Sequence, residues 1–122
     1  MSWSFSNDKP IFQQLKDIII LEIISGRYKP GDRLEAVRDL AVTAGVNPNT
    51  MQRALAEIES TGIIYTKRGD GRYVTENTEI ISEIRKTYVT GKTRDFIKRL
   101  KTLGLNEKEI IQAVEDALEQ GG

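Results

Sequence analysis

The 122-residue chain contains neither cysteine nor histidine. Their absence excludes disulfides, thiolate or imidazole zinc sites, cysteine nucleophiles and any Ser-His-Asp arrangement. No cofactor and no metal are expected. A charge excess is lacking too: 18 Lys and Arg balance 18 Asp and Glu, so no polybasic tail announces nucleic acid. The most apolar stretch, Ile18 to Ile24, is interrupted by Glu22 and is far too short to span a bilayer. The opening Met1-Ser2-Trp3-Ser4-Phe5 has no basic segment and no small-residue cleavage site, so no signal peptide is expected. Zero cysteine is compatible with a reducing compartment. The expectation is a soluble, cytoplasmic protein without a membrane partner. The carboxylates are spread at spacings that suit helix ends and ion pairs, whereas acid–base catalysis needs them converging in a cleft. No catalytic residue is therefore named, and an enzyme is not expected.

What is present is a clear succession of elements. Pro10 precedes a run from Ile11 to Ser25 with apolar residues at 11, 12, 15, 18, 19 and 23, which is helical spacing. Ser25-Gly26 stops it, and Lys29-Pro30-Gly31-Asp32 reads as a tight turn. A short helix is expected from about Glu35 to Ala44, with Val37, Leu40, Ala41 and Ala44 on one face. After Gly45-Val46, Asn47 supplies an N-cap and Pro48 a first helical residue. That helix should run to about Ser60 and bury Met51, Ala54, Leu55 and Ile58. The period then changes to that of strands. Ile63 to Arg68 and Arg72 to Thr75 flank Gly69-Asp70-Gly71, a hairpin signal. Three helices and a hairpin make a winged helix-turn-helix layout.

From Glu76 onward helical periodicity returns. Ile80, Ile81, Ile84 and Tyr88 form one stripe, and Phe96, Ile97, Leu100 and Leu103 a second. Gly91 either separates two helices or weakens one long one. Asn106 with Glu109 is a capping box, opening a last helix with Ile110, Ile111, Val114 and Leu118 inward. About 45 residues are too few to close a core alone, so these stripes need a partner surface, and a second copy of the chain is the simplest. The expected fold class is mainly α with a small β-hairpin: a winged helix-turn-helix domain over residues 1–75, then a short all-α dimerisation domain over 76–122.

The segment Asn47 to Arg53 carries the most chemical information. Short polar side chains at the start of a recognition helix reach phosphates and base edges in the major groove. Asn and Gln pair bidentately with adenine, and Arg with guanine. On a lone helix Asn47 and Thr50 would be mere caps, and Gln52 and Arg53 solvated residues. The preceding short helix and the following hairpin favour DNA. Lys67, Arg68 and Arg72 set three positive charges against Asp70 on a glycine-flanked tip that suits a phosphate backbone or narrow minor groove. Arg38, on the second helix, is positioned to cross a backbone, although its neighbour Asp39 offers an ion pair instead. The competing reading is a winged helix used to dock protein, since fold alone does not fix function. A docking face of that kind calls for aromatic or aliphatic anchors, which the recognition helix lacks.

Several strings in this chain together resemble one family. They are Pro10-Ile11-Phe12-Gln13-Gln14-Leu15, Gly26 to Leu34 through Lys29-Pro30-Gly31-Asp32, Val37-Arg38-Asp39-Leu40-Ala41, Val46-Asn47-Pro48-Asn49-Thr50-Met51-Gln52-Arg53-Ala54-Leu55 and Gly62-Ile63-Ile64. The sequence is similar to the GntR family of bacterial transcription regulators over residues 10 to 75. Asn47-Pro48-Asn49-Thr50 with a short helical tail resembles the YtrA subfamily. The resemblance implies a homodimeric DNA-binding regulator, usually a repressor, on a palindromic operator, often of an ABC-type transporter operon. It places the family's DNA contacts on Arg38, Asn47, Asn49, Thr50, Gln52, Arg68 and Gly69. Arg53 is added from its helical position. Larger members bind metabolites or metals in a bigger C-terminal domain. This chain lacks that length and the histidines such metal sites use, which argues against a dedicated small-molecule effector. One departure stands out. Where the family commonly has Pro-Ser, this chain has Glu35-Ala36, losing a helix cap worth about 1 kcal/mol and placing an acid near the presumed backbone.

The balanced charge also divides unevenly. Residues 1–75 carry 10 basic and 9 acidic side chains, and residues 76–122 carry 8 and 9. Yet Asn47 to Arg53 holds one Arg and no acid, and Lys67 to Arg72 holds three basic residues against one acid. Neutral composition lowers non-specific adhesion and concentrates any grip on DNA in that small face.

Overall fold

The computed structural model describes residues 3–121; Met1, Ser2 and Gly122, the outermost residues of the two expected domains, lie outside them. The elements run α1 (Ile11–Ile24), α2 (Val37–Ala44), α3 (Pro48–Ser60), β1 (Ile64–Lys67), β2 (Gly71–Val74), α4 (Thr78–Thr102) and α5 (Glu107–Glu119). The chain divides into two compact units, the first ending at Ile84 and the second beginning at Arg85. The first unit thus extends past the hairpin into the opening turns of α4.

Local chemistry accounts for most boundaries. Pro10 precedes α1 and accepts from the Gln13 amide at 3.1 Å. Asp32 N–H donates to the Lys29 carbonyl at 2.9 Å, closing the turn at Pro30-Gly31. The α2–α3 turn depends on Gly45, whose φ of 74° is the left-handed cap that ends α2. The Val46 amide then reaches back to the Ala41 carbonyl at 3.0 Å, a Schellman closure that a side chain bearing Cβ would strain. Asn47 caps α3 by accepting from the Asn49 amide at 2.7 Å, with Pro48 in the first turn. Asn106 and Glu109 form the reciprocal capping box of α5, both bonds at 2.9 Å.

The core of the first unit forms where α3 meets α1, α2 and the hairpin. Met51, Ala54, Leu55 and Ile58 of α3 are buried with Leu15, Ile19 and Ile23 of α1, Leu40 and Ala44 of α2, and Ile63, Ile64 and Val74. On α1 the buried arc differs from the expected one. Leu15, Ile19, Ile20, Ile23 and Ile24 are inside, whereas Ile11 is 44% exposed. The run from Ile18 to Ile24 is apolar almost all round, so periodicity alone could not choose the arc.

β1 and β2 pair antiparallel in the register Ile64↔Val74, Tyr65↔Tyr73, Thr66↔Arg72 and Lys67↔Gly71. Residues 31–34 line the other edge of β2, which the sequence reading took only as a turn and its exit. Gly31 N–H donates to Val74 O at 3.0 Å, Val74 N–H to Asp32 O at 2.8 Å, and Leu34 N–H to Arg72 O at 2.9 Å. The segment is short and charged, so it carries no strand pattern of its own. Its partner supplies the ladder.

α4 runs unbroken through Gly91, which therefore weakens a helix without dividing it, at about 1 kcal/mol relative to alanine. Asn77 accepts from the Glu79 amide at 3.0 Å and so caps it. Ile81 is buried, and the Ile80 side chain lies 3.7 Å from where a Cβ on Gly62 would stand. The first stripe of the tail is thus partly spent inside the chain's own first unit. In the second unit α4 and α5 share few contacts, around a depression of ≈ 270 Å³ lined by Ile97, Lys101, Glu107, Ile110 and Ile111. Among the described residues no helix is long and apolar enough to cross a membrane.

The Leu55→Ala variant, which empties a position 1% exposed, is expected to lose about 2–5 kcal/mol of unfolding free energy. Val42→Ser, at a position 76% exposed, should stay within about 0.5 kcal/mol of the parent. Urea midpoints at constant slope provide the comparison.

Candidate nucleic-acid interface

Burying one face of α3 turns its other face outward. Asn47, Asn49, Gln52 and Arg53 are exposed and Thr50 is half-buried. The first turn of α3 contains no acid, so the positive end of the helix dipole is left uncompensated for an incoming anion. The Asn47 carboxamide oxygen is engaged by the cap, leaving its amino group for an outside acceptor. Arg53 is held sideways: its guanidinium carbon stands 3.7 Å over the Phe12 ring centre and its Nε lies 4.0 Å from Glu57. An open depression of ≈ 440 Å³ lies beside it, lined by Ile11, Phe12, Asn49, Thr50 and Arg53. Phe12 was expected only as core, and its stack on Arg53 joins residues too distant in sequence for periodicity to show.

Arg38 is exposed on α2 and makes no ion pair among the described residues; the anticipated competition from Asp39 does not occur. α2 starts at Ala36 without a side-chain cap, as the Glu35-Ala36 departure implies. The carboxylate of Glu35 is instead engaged from behind. Tyr28 O–H donates to Glu35 Oε2 at 2.6 Å. Partial burial, that bond and the charges of Glu35, Glu22 and Asp32 push the Tyr28 phenol far above its usual range.

The hairpin sorts its charges by strand parity. Arg72 lies across from Thr66 on the face that also carries Ile64 and Val74. Its Nε is 3.2 Å from Glu59 Oε1 of α3 and its side chain is only 17% exposed. Thr66 Oγ1 donates to the same carboxylate at 2.8 Å. The sequence did contain this signal, because Arg72 is two residues from buried Val74 and period 2 puts both on one face. The opposite face presents Tyr65 and Tyr73 with ring centres 6.0 Å apart, and the Lys67 ammonium 4.4 Å above Tyr73. At the tip Gly69 takes φ 76°, as the third position of a type II turn requires. Arg68, at the apex, is exposed and has no partner among the described residues. Asp70 does have partners, Arg33 and Tyr73. The Tyr73 hydrogen bond and the Arg33 guanidinium hold its carboxyl below the ordinary range. Arg33 was not singled out in the sequence, since it comes 37 residues before Asp70.

A recognition helix with a polar outer face, an uncompensated N-terminus, a free arginine on the preceding helix and a second at a wing apex define a winged helix-turn-helix DNA-binding protein. Comparison with known proteins specifies the class. The model of bacterial regulatory proteins of the gntR family matches residues 11–74. The uncharacterized HTH-type transcriptional regulator YhcF of Bacillus subtilis is 36% identical over 99% of this chain and 100% of its own length. The HTH-type transcriptional repressor YtrA of the same organism is 41% identical, over 76% of this chain and 64% of its own. A solved GntR family regulator from Listeria monocytogenes superposes with a TM-score of 0.85 at 43% identity, covering 92% of this chain and 98% of the other. The DNA-binding domain of AraR in complex with its operator ORX1 superposes with a TM-score of 0.54 at 25% identity, over 62% of this chain and 92% of the other. The chain belongs to the GntR family and is a DNA-binding transcription regulator of YtrA type, not an enzyme.

A raised phenol pKa stabilises the fold below pH 10, and that contribution is lost as pH rises through the ordinary value of 10 toward the raised one. In an absorbance titration Tyr28 should therefore be among the last tyrosines to ionise. Tyr28→Phe should remove a component at the alkaline end and flatten the fall of stability above pH 10; an unchanged profile would mean that Tyr28 titrates normally.

Proposed function

We propose that this regulator is a cytoplasmic repressor that binds a palindromic operator as a homodimer, each protomer reading one half-site. The observation carrying the reading is the outward face of α3 flanked by two arginines, Arg38 and Arg68, that have no ion-pair partner among the described residues. In this reading Asn47, Asn49 and Thr50 sit where the helix enters the groove, Gln52 and Arg53 meet base edges, and Arg38, Lys67, Arg68 and the Gly69 backbone hold phosphates. Arg72 serves the wing from beneath through Glu59 rather than touching DNA. The likeness to the transcriptional repressor YtrA supports repression; a transporter operon is the target that the subfamily resemblance implies. No dedicated small-molecule effector is part of this reading.

Dimerisation is supported by what the second unit leaves uncovered. Val89 and Phe96 on α4 and Leu103 just past its end are spaced every seven residues, are 58%, 42% and 74% exposed, and together offer one apolar seam. Ile111, Val114 and Leu118 form another on α5. The flanking charges are complementary. From Arg85 to Lys101 seven basic residues stand against Asp95 alone, whereas Glu107 to Glu119 carries five acids against Lys108. A second copy that lays its α5 seam along α4 buries apolar area and pairs those charges. Ile110, already buried within the second unit, acts as support behind the interface, whereas Ile81 is buried in the first unit.

Titration with operator duplex across a salt series tests the DNA reading. Log affinity should fall linearly with log salt, by about 0.9 per neutralised phosphate. Arg38→Ala should weaken all sequences alike and reduce that slope by about two, because a dimer presents the residue twice. Gln52→Ala should instead relax preference at one base pair per half-site, by about 1–3 kcal/mol. Identical selectivity profiles for the two variants would refute this division. Sedimentation at micromolar concentration should show a dimer. Phe96→Glu with Leu118→Glu should yield folded monomers whose operator affinity is lower by about a hundredfold or more. A double variant that remains dimeric would place the interface elsewhere.

A further inference from the structure

The wing carries one acid at its apex, where phosphate repulsion makes an acid unwelcome. We infer that Asp70 is nevertheless a positioning residue for DNA binding: with Arg33 and Tyr73 it clamps the wing turn so that Arg68 is held out toward the phosphate backbone. The inference rests on the DNA-binding role proposed for this wing and goes beyond it, since neither Arg33 nor Tyr73 belongs to the expected contact set.

The polar groups of Asp70 are all engaged. Its N–H donates to the Lys67 carbonyl at 2.9 Å, closing the turn. Its carbonyl accepts from Arg33 Nη2 at 2.7 Å. Oδ1 accepts from Arg33 Nε at 3.3 Å, and Oδ2 from the Tyr73 hydroxyl at 2.8 Å. One residue thus ties the turn to the edge segment through Arg33 and to β2 through Tyr73. Arg33 is itself fixed, its backbone bridged to that of Tyr73 across the sheet. Its guanidinium lies over Gly71, where an added Cβ would stand 3.0 Å from Nη2. Glycine at 71 makes room for the clamp.

The same contacts allocate the cations around the hairpin. Arg33 is paired with Asp70 and Arg72 with Glu59, and the exposed Lys67 stands over the Tyr73 ring. Of the hairpin's own cations, Arg68 has no partner among the described residues, next to the conformationally free Gly69. A glycine-containing apex without a brace would have to be ordered on contact with DNA, which costs entropy; a braced apex is ordered beforehand. As an exposed ion pair the clamp adds little to global stability, so its effect belongs to binding.

The sign of one measurement decides the matter. Simple charge repulsion predicts that Asp70→Ala binds DNA more tightly, because a negative charge near phosphate is removed. The clamp predicts weaker operator binding, by about three- to fivefold at fixed salt, with an unchanged melting temperature. Asp70→Asn, which keeps a carbonyl acceptor for Tyr73, should recover part of the loss. In an Arg68→Ala background Asp70→Ala should cause no further weakening, because the residue acts through Arg68. In the free protein, amide order parameters at residues 68–70 should fall in Asp70→Ala and not in Arg68→Ala. Tighter or unchanged binding by Asp70→Ala overturns the clamp while leaving the DNA-binding role intact. A loss that persists in the Arg68→Ala background overturns it as well. Failure of the parent protein to bind duplex DNA at any salt overturns both.

Discussion

The burial of one face of α3 sets the terms for everything else in the first unit. Met51, Ala54, Leu55 and Ile58 are all at most 1% exposed. Removing the larger ones from water is worth about 1.5–3 kcal/mol per side chain. That burial fixes the rotation of the helix about its axis, and the same rotation aims Asn49, Gln52 and Arg53 outward. Asn47 and Pro48 fix where the helix starts, and Gly45 fixes how the chain arrives there. The reading face is therefore a consequence of core packing, not an independent construction.

The wing depends on α3 as well, through a different force. Ile64 and Val74 extend the core beneath the hairpin, and Glu59 fastens Arg72 and Thr66 to the same helix. Residues 31–34 add a third edge. The hairpin is thus held on one face by packing and on the other by tyrosine stacking and the Arg33–Asp70 contact. A two-stranded ribbon alone is only marginally stable. Attachment to α3 lets so short a hairpin present a defined tip. Near the wing, Arg33 and Arg72 face acids and Lys67 stands over an aromatic ring, whereas Arg68 at the apex has no partner among the described residues.

The second unit follows another logic. Two helices with few mutual contacts and exposed aliphatic side chains do not close a core. The half of α4 in this unit is basic and α5 is acidic. The proposed homodimer follows from these uncovered seams and opposite charges, because a two-fold related copy would satisfy both surfaces at once.

The sequence by itself determined the features that local chemistry dictates. Proline and asparagine at the α3 start, the capping box at Asn106, the hairpin glycines and the helical period of the tail each act within about four residues, so each is visible in a short window. Even Arg72 was legible in principle, through its parity with Val74. Tertiary structure alone decided which arc of an almost uniformly apolar α1 turns inward, that residues 31–34 join the sheet, and that the opening turns of α4 belong to the first unit. It alone brought Arg53 over Phe12 and Arg33 onto Asp70. These contacts link residues far apart in the chain, and neither partner carries a local pattern that names the other. Their pairing follows only from how the helices and hairpin pack, which is a property of the whole core rather than of any segment.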